Sequence, residues 1–83
     1  MFTIYILQCK DKTLYTGSTT DMEKRLKEHN EQKKGAKYTR ARRPVTLVYE
    51  ECCETLAQAR SREAEIKRMT RQKKLLLLKK AVV

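Results

Sequence analysis

FTIYILQCKDKTLYTGSTTDMEKRLKEHN, residues 2–30, decides how this chain folds, because its hydrophobic spacing changes partway along from a period of two to one near 3.6. Residues 2–9 are β-branched and aromatic, with Phe2, Ile4 and Ile6 on one side of an extended chain and Thr3, Tyr5 and Leu7 on the other. Bulky groups on both sides predict a strand covered on both faces. KDKT at 10–13 carries turn chemistry, and LYTG at 14–17 returns as a second, antiparallel strand. Tyr5 and Tyr15 share a face of this hairpin if its loop holds an odd number of residues, for example 11–13, or if a bulge intervenes. A two-residue loop separates them.

Downstream of the hairpin, Thr20-Asp21-Met22-Glu23 has the spacing of a capping box, with Thr20 accepting from the Glu23 backbone and Glu23 reaching back. A helix from 21 to about 33 is expected, stopped by Gly35. QKKGAKYTRARRP at 32–44 has no apolar period and sets six cations, Lys33, Lys34, Lys37, Arg40, Arg42 and Arg43, around Tyr38; it reads as a loop ending at Pro44. VTLVYE at 45–50 is a third strand, and Thr55 with Gln58 forms a second capping box for a helix reaching about 69. A last helix, about 70–80, turns Leu75 and Leu78 inward and leaves Leu76 and Leu77 for the surface or a protein partner. The order β-β-α-β-α-α describes a single α+β domain over 1–83, a three-stranded antiparallel sheet flanked by about three helices.

Composition narrows the partner. Lys and Arg outnumber Asp and Glu by 20 to 10, a formal net charge of +10, and such a field attracts polyanions, nucleic acid first. Cys9 stands alone and Cys52 and Cys53 are adjacent, which argues for packing roles in a reducing compartment, against disulfides and against a zinc site. MFTIYILQCK lacks a basic leader region and a small-residue cleavage site, and its apolar run, like LLLL at 75–78, falls short of the ~20 residues of a membrane span. A soluble cytoplasmic protein is expected.

A chain of 83 residues buries only about 60% of the surface its unfolded form exposes, so inward polar groups stand out. At ~100° per residue, Met22, Arg25, Leu26, His29 and Lys33 fall within one third of the first helix's circumference. Packing that face on the sheet carries Arg25 and His29 to the sheet's edge or surface. On the next helix Glu63 falls between Leu56, Ala59 and Ile66, where an ionised carboxylate needs a counter-charge: Arg25, Lys67 or a divalent ion. Each residue taken alone has a bland reading. Strand tyrosines usually pack, helix cations are usually solvated, and a basic run is usually just hydrated. Their convergence on elements that must pack together points to a site. The cations around Tyr38, with Lys67 and Arg71, suit unpaired bases and phosphates.

TIY (3–5), YTG (15–17), RLKEHN (25–30), GAKYTRARRP (35–44) and AQARSREAEIK (57–67) together resemble the GIY-YIG endonuclease superfamily, in particular its small stand-alone bacterial members related to the nuclease domain of Slx-type structure-selective endonucleases. The resemblance covers nearly the whole chain. It implies phosphodiester hydrolysis with one divalent ion, Mg²⁺ or Mn²⁺, bound weakly until substrate adds a phosphate ligand. Tyr5 and Tyr15 match the two motif tyrosines, Arg25 and His29 the first-helix pair, and Glu63 the metal-binding glutamate. Implied roles are proton acceptance from water for Tyr5, helped by His29 and by a pKa lowered by Arg25, phosphate holding for Tyr15, and charge neutralisation for Arg25. Thr3 and Thr16 stand where the motif name has Gly and Ile, and no Asn follows Asn30, whereas larger members place one after the glutamate.

Two function classes follow: a metal-dependent nuclease reading DNA structure more than sequence, and a non-catalytic DNA- or RNA-binding module on the same fold. A third, a partner-docking or membrane-surface role for KKLLLLKK, rests on composition alone.

Overall fold

β1 (Phe2–Gln8) is the middle strand of the sheet, and both of its faces are apolar. The computed structural model of the chain describes residues 1–31 and 37–81, with the side chains of Lys37, Lys80 and Ala81 excepted. β2 (Leu14–Thr19) pairs with one side of β1 and β3 (Thr46–Cys53) with the other, both antiparallel. The helical segments are α1 (Met22–Glu31), α2 (Lys37–Arg40), α3 (Leu56–Lys67) and α4 (Arg71–Ala81). The segment expected to be a loop thus contains a helical turn, α2, and β3 runs three residues past the expected 50. Lys33, Lys34 and the stop at Gly35 lie outside the described residues.

The two faces of β1 carry two cores. Ile4 and Ile6, fully buried, meet Ala59 and Ile66 of α3, with Leu77 and Leu78 of α4 packed against them. Tyr5 and Leu7 meet Cys9 and Val45, with Tyr15, Leu47 and the α1 residues Met22 and Leu26 around them. Opposite Ile6 and Leu7 the β3 register shifts between Tyr49 and Leu47, so Val48 is an extra residue that bends the strand. The seam of α4 is centred on Lys74, Leu77 and Leu78; Leu75 and Leu76 are exposed, which corrects the expected inward Leu75 and outward Leu77. Adjacent residues both face a neighbour when the seam falls between them, a choice that four identical leucines leave open.

The start of α1 also differs from expectation. Asp21, not Thr20, caps it: its carboxylate accepts from the Lys24 amide at 3.2 Å and its carbonyl from the Arg25 amide at 3.0 Å. Thr19 takes the Asp21 amide, which fixes that register. The Thr55–Gln58 box forms as expected. At the other end of α1, the Arg43 guanidinium donates to the carbonyls of Glu28 and His29, and the Asn30 amide exchanges two hydrogen bonds with the Val45 backbone. Those contacts pin α1 to the start of β3. Among the described residues no helix is long and apolar enough to cross a membrane.

The hairpin ladder ends at Gln8 and Leu14, leaving the five residues 9–13 between the strands, an odd number. Tyr5 therefore pairs with Gly17 and Leu7 with Tyr15, which places both tyrosines on the α1 face. A Cβ on Gly17 would lie 2.4 Å from the Tyr5 hydroxyl oxygen and 2.6 Å from its ring, so glycine is what lets the phenol lie across β2. We expect Gly17→Ala to cost about 1–3 kcal/mol in urea unfolding, since the clashing partner is a buried, rigid ring. In the same assay Asp21→Ala should cost ~1 kcal/mol and Thr20→Ala less than about 0.5 kcal/mol; equal losses would contradict the cap described here.

Candidate active site

Tyr5 reaches the outer edge of the sheet through the space above Gly17. Its hydroxyl lies 2.9 Å from His29 Nε2, and the opposite ring nitrogen, Nδ1, lies 2.7 Å from Thr39 Oγ1 on α2. Tyr5, His29 and Thr39 are all buried, so His29 lies against the sheet's surface, one of the two placements that helical spacing allows, and is closed off from solvent. Arg25 is placed as expected, half-buried where its charge is felt at the Tyr5 hydroxyl, and it forms an ion pair with Glu28 at 3.1 Å. We assign the phenol proton to His29 Nε2, which puts the imidazole proton on Nδ1, donating to Thr39.

Tyr15 rests its ring against His29, centroids 5.3 Å apart, and stacks with Tyr38 at 5.9 Å. Arg42 lies over the Tyr38 ring at 3.9 Å and pairs with Asp11 of the hairpin loop at 3.0 Å. The aromatic residue expected to wait for bases is thus partly engaged by the protein itself, though 37% of its surface remains exposed. Among the other cations expected to contact nucleic acid, Arg40 and Arg71 are exposed, and Arg43 is committed to the α1 carbonyls. That commitment corrects its reading as a phosphate contact. Lys33, Lys34 and the Lys37 side chain are not among the described groups.

Glu63 approaches from the opposite side of the sheet. Ser18, next to Gly17 and so facing the other way, donates its hydroxyl to Glu63 Oε1 at 2.6 Å, and Lys67 pairs with Oε2 at 2.7 Å. Lys67, not Arg25, is the counter-charge. The carboxylate is 21% exposed and borders an open depression lined by Ser18, Arg60 and Lys67, while Leu56, expected on a buried stripe, is exposed. Since β2 is an edge strand, the Tyr5 hydroxyl on one face and Glu63 on the other meet across a single strand, and the Glu63 charge is felt at Tyr5. Ser18 and Thr39 are functional candidates that sequence reasoning missed. Alternation flags Ser18 only once the sheet order is known, and nothing periodic marks Thr39.

The electrostatics follow from burial. Burial raises the Tyr5 pKa above its ordinary value and outweighs the lowering by Arg25, which corrects the expectation of a tyrosine made acidic by that arginine. His29 is pushed down to about 4, by burial first and then by the Arg25 charge, so it is a neutral acceptor at pH 7. Burial works against ionised Glu63, but Lys67 and Ser18 together hold its carboxyl below the usual range. A divalent ion fits this donor set in one way. Among the described residues no three His, Cys, Asp or Glu side chains gather, so one accessible, ionised carboxylate would hold an ion that keeps its waters and takes substrate phosphate as a further ligand.

His29 titrates at about 4 folded against 6.5 unfolded, so between these values the unfolded chain binds more protons. Its stabilising contribution is complete above about pH 6.5 and is lost as pH falls towards 4, by at most ~3 kcal/mol. Urea midpoints measured from pH 7 to 4 should fall for the parent and be flatter for His29→Gln; parallel profiles would contradict a buried neutral imidazole.

A family model described as the GIY-YIG catalytic domain matches residues 1–75. The UPF0213 protein of Syntrophus aciditrophicus is 58% identical over 76 residues, covering 92% of this chain and 87% of its own. A UPF0213 protein of Staphylococcus saprophyticus is 56% identical over 75 residues, covering 90% of each chain. Among solved structures, the solution NMR structure of the UPF0213 protein BH0048 from Bacillus halodurans aligns with a TM-score of 0.62 at 44% identity, covering 95% of this chain and 84% of that one. That of EF2693 from E. faecalis aligns with a TM-score of 0.64 at 42% identity, covering 94% and 82%. The tyrosine-bearing hairpin and the helix behind it lie wholly inside the matched segment, and the chain belongs to the GIY-YIG family.

Proposed function

We propose that this protein is a metal-dependent endonuclease that hydrolyses phosphodiester bonds in DNA, choosing substrates by structure more than by sequence. The family points to nuclease chemistry and, in general, to divalent-metal dependence. The observation that carries the reading is the meeting of Tyr5, Arg25 and the Tyr5–His29 hydrogen bond with Glu63 across the edge strand β2.

A phosphate laid along that edge meets Arg25 first, whose charge offsets the charge growing on the phosphoryl oxygens. Water attacking phosphorus gives a proton to the Tyr5 oxygen while Tyr5 passes its own to His29 Nε2; the P–O bond to the leaving oxygen then breaks. Tyr5 thereby acts without ionising, which its raised pKa requires. His29 becomes a better base once phosphate is bound, because the Arg25 charge that helps depress it is then partly neutralised. Glu63 would hold the divalent ion, which when bound would supply Lewis-acid polarisation and offset charge on the leaving oxygen. Tyr15, held between His29 and Tyr38, lines the same surface and holds the phosphate in register. The exposed cations of α2 and α4, Arg40 and Arg71 among them, add unspecific backbone attraction. The protein in this reading works in the cytoplasm, where its free cysteines stay reduced.

The test is cleavage of end-labelled single-stranded, duplex, flapped and branched DNA in Mg²⁺, Mn²⁺ or EDTA. Metal-dependent cutting is expected for the parent and a loss of 10²-fold or more, on the order of one oxyanion-stabilising group, for Glu63→Ala and Arg25→Ala. Undiminished cutting by repurified Glu63→Ala would overturn the assignment. Binding by both proteins without cutting by either would instead mark a binding module.

A further inference from the structure

The contact that neutralises Glu63 is made by a side chain more than twice as exposed as Glu63 itself, 53% against 21%. Both carboxylate oxygens are engaged, Oε1 by the Ser18 hydroxyl and Oε2 by the Lys67 ammonium 2.7 Å away. The two contacts differ in kind. Ser18 is fixed on β2, whereas Lys67 ends α3 on a flexible four-carbon stem beside an open depression.

We propose that Lys67 is a latch on Glu63: in the free protein its ammonium holds the carboxylate oxygen that a divalent ion takes, and it moves onto a substrate phosphate when the ion binds. This rests on the metal-dependent reading above and deepens it. A divalent cation on the Glu63 carboxylate and an ammonium 2.7 Å from Oε2 repel each other, so binding of the ion favours departure of Lys67. Leaving is easy, because an exposed pair four residues apart on a helix is weak and screened by salt. Once displaced, Lys67 stays within reach of the depression, where the anion brought by the ion is a phosphate. The same ammonium therefore opposes metal binding before substrate arrives and favours substrate afterwards. A site built this way binds the ion a few-fold more weakly before substrate arrives than it would without Lys67.

The test uses Mn²⁺ as the probe, followed by paramagnetic broadening of amide signals in the ¹⁵N-labelled full chain. Lys67→Met, which keeps the stem and removes the charge, should bind Mn²⁺ ~3- to 10-fold more tightly than the parent at low salt, the size set by removing one screened charge about 4 Å from the ion. Lys67→Gln should do the same, and Glu63→Gln should lose the saturable broadening around Ser18 and Glu63. At saturating Mn²⁺ the affinity of Lys67→Met for a short DNA duplex should fall below the parent's. Equal or weaker Mn²⁺ binding by both Lys67 variants overturns the latch. If the parent nevertheless cuts DNA with Mg²⁺, the latch alone has failed. If neither the parent nor Lys67→Met shows saturable broadening, the metal reading fails and the latch with it.

Discussion

One buried hydrogen bond, between the Tyr5 hydroxyl and His29 Nε2, ties the elements together over Gly17, where any Cβ would press on the phenol. It joins the central strand to α1, crosses Gly17, and continues through Nδ1 to Thr39 on α2. A buried imidazole without partners would cost several kcal/mol of desolvation; with both nitrogens paired it instead fixes the spacing of three elements. The same bond aims a phenol at the outer edge of β2. Structure and site therefore share their most constrained contact.

Around it the charges are arranged asymmetrically. Arg25 and Glu28 on one face and Glu63 and Lys67 on the other are paired, and the net +10 of the chain is spread over the remaining surface. In the proposed reading such a distribution attracts a polyanion broadly and rewards it most at the β2 edge, where pairs can be exchanged for phosphate contacts. A thin domain cannot hide several ionic groups in its middle. It places them at a strand edge, half in water, where an arriving phosphate still reaches them.

Much of this was legible in the residues. Alternation in FTIYILQC gave a strand covered on both faces, and both tyrosines, Arg25, His29 and Glu63 do meet around β2. Other features lay outside local pattern. Helical spacing put His29 on the sheet side of α1 but not at full burial, because depth depends on α2, which a basic segment without apolar period concealed. Lys67 and Arg25 were both open as partners of Glu63 until the sheet order placed α3 on the face away from α1. The sign of the Tyr5 shift was misjudged since a nearby arginine is visible in sequence and the extent of burial is not. Four consecutive leucines, finally, cannot announce which two lie on a seam.

The central claim is that nucleic acid engages both faces of the sheet where they meet at β2. Amide chemical-shift mapping with a short DNA duplex in EDTA, so that nothing is cut, tests it most directly. The expected shifts cluster at 15–19 on β2, at Arg25 of α1 and at Glu63 and Lys67 of α3. Shifts confined to α4 and β3, with the β2 edge silent, would contradict it.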